Sequence, residues 1–101
     1  MPAEPDQGLL LHILFYNIFK KQLTERDIKD EKQIIRVTYE VLEELDKYVG
    51  IVDWHRKSEI QRLMRRDIKR KLRKKNLDFD RDELNQLVVE LINLAKVHYK
   101  Y

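Results

Sequence analysis

The sequence predicts an all-α fold, a small bundle of about four helices. Three observations predict it. Apolar residues recur at three- and four-residue spacing in several stretches, the mark of helices with one buried stripe. Strong breakers are few: Gly8, Gly50, Pro2 and Pro5 are the only glycines and prolines of 101 residues, and Leu, Glu, Lys and Arg favour helix. Short polar clusters separate the stretches, which suits helices joined by brief links. A chain of this length can bury one modest core. Residues 9–101 are therefore read as a single domain, and 1–8 as a loop-like lead-in.

The first helix is expected from Leu9 to Leu23. Its opening run, Leu9 to Phe19, is apolar nearly all round, which suits a central helix or one that docks on another surface. The run is too short to span a bilayer, which takes about 20 apolar residues. It also lacks the basic leader of a signal peptide. Thr24 with Asp27 is read as an N-cap pair opening the second helix, which then runs to Val49. Ile34, Ile35, Thr38, Val41, Leu42, Leu45 and Tyr48 hold its buried stripe, and Glu40, Glu43, Glu44 and Asp46 its outer face. Gly50 suits a left-handed end to that helix.

The third helix organises the chain. Ser58 is the expected N-cap, Glu59 suits the positive end of the dipole, and the helix ends near Asn76, which tolerates the left-handed conformation. Ile60, Leu63, Met64, Ile68 and Leu72 form its apolar stripe. Arg62, Arg65, Arg66, Lys69, Arg70 and Arg73 fall together on the other side, with Lys74 beside them. From Arg56 to Lys75 the chain carries 11 Lys or Arg against Glu59 and Asp67, a net of +9, while the whole chain is only +3. Ordinary solvated faces mix signs. Here Arg62/Arg66, Arg66/Arg70, Lys69/Arg73 and Arg70/Lys74 are like-charge pairs four residues apart, each costing a few tenths of a kcal/mol unless an anionic surface relieves it. These residues are the candidate partner- or DNA-binding set. Trp54, with Asp53, is either an interface anchor or a core-capping indole.

Asp80 to Glu83 reads as a capping box for the last helix. Leu84, Leu87, Val88, Leu91, Ile92, Ala95 and His98 share one face of it, widened by Val89, Leu94 and Val97. The aromatic tail after Val97 suggests an end that packs.

Catalytic signatures are missing from the sequence. Two isolated glycines make no phosphate-cradling loop. Ser58 and Thr38 have no His and carboxylate at a suggestive spacing. His12, His55 and His98 are scattered over three segments, unlike metal ligands. Asp78, Asp80 and Asp82 mimic the start of a calcium loop, but Glu83 replaces the required Gly and Val89 the final Glu. No cysteine is present, so thiolate chemistry is excluded and an intracellular home is allowed. No catalytic, metal or cofactor role is expected of this chain alone.

Ile51, Val52, Asp53 and Trp54, followed by Ile60, Met64, Arg65, Ile68, Lys69, Arg70, Leu72, Arg73 and Lys74, resemble the C-terminal helical domain of the restriction (R, motor) subunit of type I restriction-modification enzymes. The similarity covers about Ile34 to Ala95. It departs at Lys75-Asn76-Leu77-Asp78, where that family often has an aromatic-Gly-aromatic-Pro turn. The resemblance implies a cytoplasmic parent that translocates and cleaves DNA with ATP and Mg2+. It also implies a non-catalytic domain that docks the subunit onto the methyltransferase and specificity subunits. The residues alone leave two alternatives open: a non-specific DNA-phosphate-binding module, or an unrelated small helical DNA-binding regulator.

Overall fold

A computed structural model describes the backbone of residues 6–98 and the side chains from Leu10 onward. Four α-helices and one short 3-10 turn make up the fold: α1 (Asp6–Glu25), α2 (Glu31–Val49), the turn Trp54–Arg56, α3 (Ser58–Lys74) and α4 (Arg81–His98). No strand occurs among the described residues. Contacts run α1 to α2, α2 to α3, α3 to α4 and α4 back to α1, so the helices close a four-membered ring around one core. The expected all-α bundle is the observed one. Residues 1–5 and the aromatic tail 99–101 lie outside the described residues, while 6–8 are already helical.

Each helix contributes a stripe to the core. In α1 it is Leu11, Phe15, Phe19 and Leu23, all fully buried at strict four-residue spacing. The apolar excess of this helix is thus only partly used inside, and Leu10 and Ile13 remain 43% and 47% exposed. In α2 the buried residues are Ile34, Val37, Thr38, Val41, Glu44, Leu45 and Val49. Ile35 was expected in that stripe but is exposed, and Val37 takes its place. Thr38 donates its hydroxyl to the Ile34 carbonyl at 2.8 Å, which lets a polar side chain sit in the core without an unpaired donor. In α4 the buried set is Leu84, Leu87, Val88, Leu91, Ile92 and Ala95. Val89 and Val97, expected to widen that face, point outward, and Leu94 is half-buried.

The links correct three cap assignments. Thr24 lies inside α1, and α2 is capped instead by Asp30, whose carboxylate accepts from the Lys32 backbone N–H at 3.1 Å. Asp27 ends α1 rather than opening α2. It adopts φ 64, its N–H reaches the Thr24 carbonyl at 2.9 Å, and the next N–H, of Ile28, reaches Leu23 at 2.8 Å. That pattern satisfies the orphan carbonyls of the last turn, and Ile28 packs on the core beside it. Lys57, not Ser58, is the cap residue of α3, and Ser58 is its first helical residue.

Gly50 is right-handed, at φ −79, and no glycine among the described residues has positive φ. The left-handed positions are Asp27, Asp53, Asn76 and Asp78. Asn76, at φ 57, behaves as the sequence predicts. Asp78, two residues on, is left-handed as well, at φ 65. The capping box forms as read: Glu83 N–H donates to Asp80 Oδ1 at 2.8 Å, and Asp80 N–H to Glu83 Oε1 at 3.0 Å.

Candidate partner-binding face

The position of α3 is fixed at both ends and along one side. At its start, Gln61 is nearly buried and donates its amide to the His55 carbonyl at 2.8 Å and, more weakly, to Trp54 at 3.4 Å. This ties the 3-10 turn to the first turn of the helix. Trp54 itself is fully buried in the core. Its indole therefore has no surface to give a partner in this arrangement, and it holds the helix start from within. Asp53 is half-buried, left-handed and makes no side-chain cap bond. Neither residue belongs to the basic face.

Along the inner side, Met64, Ile68 and Leu72 enter the core. Toward α2, two of the basic residues are consumed. Lys71 lies 3.4 Å from Glu44 and Lys75 lies 2.7 Å from Glu40. The acidic outer face expected of α2 is thus partly an inner one. Glu44 is buried between Lys47 and Lys71, and Glu40 is half-buried against Lys75. Amphipathic periodicity alone missed this because it treats charged residues as solvent-seeking. Facing rows of opposite charge allow partial burial instead.

Asp67 completes the α2–α3 seam. It accepts hydrogen bonds from the Tyr48 hydroxyl and from the Arg66 guanidinium. Burial pushes its carboxyl up, but these two donors outweigh that and hold it below the ordinary carboxylate value. Glu83 is held low as well, by the Asp80 backbone N–H and then by Arg26. Asp46 moves the other way, raised by burial and then by Glu43. A depressed carboxyl contributes stability that is present above its unfolded value and lost as pH falls through the folded one. Acidification from about pH 5 to about pH 2 is therefore expected to lower the melting temperature. Asp67→Asn should flatten that fall, and Asp46→Asn should steepen it, since protonation of Asp46 favours the fold. Thermal melts across pH check both, and an unchanged slope in Asp67→Asn would refute the assignment.

The outer side of α3 is different. Arg62, Arg65, Arg66, Lys69 and Arg73 line one shallow concavity. Arg62 has only Glu59 near it, at 3.9 Å with both side chains exposed, and Arg66 has Asp67 at 3.2 Å. Among the described residues, no carboxylate lies within 4.0 Å of Arg65, Lys69, Arg70, Arg73 or Lys74. Arg70 and Lys74 are exposed on the flank of this concavity rather than in it. The large exposed apolar side chains lie on α1, α2, α4 and the link at Val52; none is on α3. The face is suited to binding anions, and among the described residues no group of three or more His, Asp or Glu could hold a metal ion. Among the described residues, no helix is long and apolar enough to cross a membrane.

The family model for the C-terminal region of type I restriction enzyme HindI endonuclease subunit-like proteins matches residues 11–100. The chain belongs to this family. No curated protein and no solved structure matches it. The match extends the resemblance read from the sequence to α1 and to the end of α4. This type I restriction C-terminal domain thus contains the whole described bundle apart from the first residues of α1.

Its other polar cluster is structural. Arg26, just after α1, donates to the Gln22 carbonyl at 2.9 Å, to the Gln22 side-chain oxygen at 3.0 Å and to the Asp78 carbonyl at 3.3 Å. It also pairs with Glu83 at 2.8 Å and lies over the Phe79 ring at 4.1 Å. One guanidinium thereby joins the α1–α2 link to the α3–α4 link. Sequence reasoning did not single it out. Arg26 looks like one charge in a polar loop, and its partners beyond Gln22 lie about 50 residues away in a segment whose conformation the sequence does not disclose.

Proposed function

We propose that this domain is the non-catalytic assembly module of a type I restriction endonuclease R subunit. In this reading the parent is a cytoplasmic, ATP- and Mg2+-dependent DNA translocase and nuclease. The domain docks it onto the methyltransferase and specificity subunits through the outer face of α3. The observation that supports this most is the set of cations on α3 without an internal partner. A row of like charges is a cost to the isolated domain, and an acidic partner surface relieves it. Arginine is also among the residues that most often dominate interface energetics. Trp54 and Gln61 serve indirectly by fixing where that row begins.

Combined charge reversal, Arg62→Glu, Arg66→Glu, Lys69→Glu and Arg73→Glu, in the complete subunit tests this. Retention on the immobilised methyltransferase–specificity core is expected to fall by about tenfold or more, since like charges set against each other cost several kcal/mol. These side chains lie outside the core, but Arg66→Glu also removes a donor to Asp67, so a circular dichroism spectrum and melt of the variant check that the fold persists. Undiminished retention by a normally folded variant would refute docking through α3.

A further inference from the structure

We propose that the surface meeting α3 is an acidic groove between two helices, with carboxylates at four-residue spacing on both walls. The inference rests on the assembly reading above and names the chemistry of the partner surface. Width is the first argument. At roughly 100° per residue, Arg62, Arg66, Lys69 and Arg73 form the crown of the outer side. Arg70 and Lys74 lie between that crown and Lys71, which faces α2. Arg65 lies on the opposite flank. The cations therefore occupy about half the circumference, whereas the seam matched to one neighbouring helix is narrower than the roughly 100° stripe that faces a whole core. A single acidic helix would leave one flank uncompensated. Two walls would not.

The second argument comes from the α2–α3 contact, which already contains one such wall. Glu40 and Glu44, four residues apart, meet Lys75 and Lys71, also four apart, at 2.7 and 3.4 Å. The outer cations keep the same repeat in the pairs 62/66, 66/70, 69/73 and 70/74. A protein wall also suits Glu59 better than a nucleic-acid strand does. Its side chain is 72% exposed beside Arg62. A partner protein can set a lysine opposite it, while a phosphate strand repels it.

Arg65→Glu and Arg70→Glu probe the two flanks separately. In the complete subunit each is expected to weaken binding to the methyltransferase–specificity core by about tenfold, and the double variant by more than either. The isolated domain is then offered three probes at about 50 mM salt. One is a synthetic two-stranded helical coil with Glu at four-residue spacing along one groove. The second is a coil of the same composition with that spacing scrambled, and the third a short non-specific DNA duplex. Tightest binding to the ordered coil is the expected result. Loss at only one flank would overturn the two-walled groove, and equal binding to the scrambled coil would overturn the spacing. Tighter binding to the duplex, with an affinity falling steeply with salt, would assign the face to nucleic acid instead. If the four-fold crown variant still binds the core, the assembly reading fails. If that variant loses the core while both flank variants keep it, only the groove fails.

Discussion

Trp54→Ala is expected to lower stability by about 3–5 kcal/mol, the usual cost of truncating a large buried aromatic. Trp54 is the largest fully buried side chain, and it sits in the turn that delivers the chain into α3. Its removal leaves a void bounded by two elements at once. The bond from the Gln61 side-chain amide to the Trp54 carbonyl is long, at 3.4 Å, and contributes little beside the buried indole. For a domain of this size, each kcal/mol moves the midpoint by about 4–8 °C. A loss of about 3 kcal/mol is a large fraction of the roughly 5–15 kcal/mol available. Circular dichroism melts check the effect, with Trp54→Phe retaining more than half of the lost stability. A midpoint within a few degrees of the parent would show that Trp54 is not part of the core.

Arg26→Ala carries the second large effect, expected at about 2 kcal/mol from lost charged hydrogen bonds and the cation–π contact. The ion pair with Glu83 contributes little of this, because the Glu83 side chain is half exposed. Most comes from the carbonyls of Gln22 and Asp78 and from the Phe79 ring, which only a planar fork reaches together. Arg26→Lys should therefore recover less than half of the loss, and Glu83→Gln should cost well under 1 kcal/mol. Denaturant unfolding of the three variants checks the order. A Glu83→Gln loss as large as that of Arg26→Ala would mean that the ion pair dominates.

The helices were legible because each rests on repeated local information. Met64, Ile68 and Leu72 of α3 and the capping box of α4 follow from spacing alone, whereas Ile60 and Leu63, read into the same stripe, are only half-buried and Gln61 is buried instead. The basic face was legible for the same reason, since placing residues around a helix needs only its pitch. What the sequence withheld is which neighbour each face meets. Glu40 and Glu44 looked like solvent residues until α3 supplied Lys75 and Lys71. Ile35 and Val37 exchange roles for a related reason. Apolar periodicity tolerates a shift of one or two residues, and only the direction of α1 settles it. The caps failed where several polar residues compete. Thr24, Asp27 and Asp30 all have the chemistry to open a helix, and the left-handed geometry at Asp27 left that part to Asp30.

Those left-handed residues also shape how this domain can vary in descent. Asp27, Asp53, Asn76 and Asp78 each hold positive φ without being glycine. Short polar side chains tolerate that region, and β-branched ones do not. With this backbone these four positions favour Asp, Asn and Gly, and a Pro at the fourth residue of the Lys75–Asp78 turn requires a different turn. The links between helices, usually the most permissive parts of a bundle, hold here four positions whose backbone conformation narrows the choice of residue.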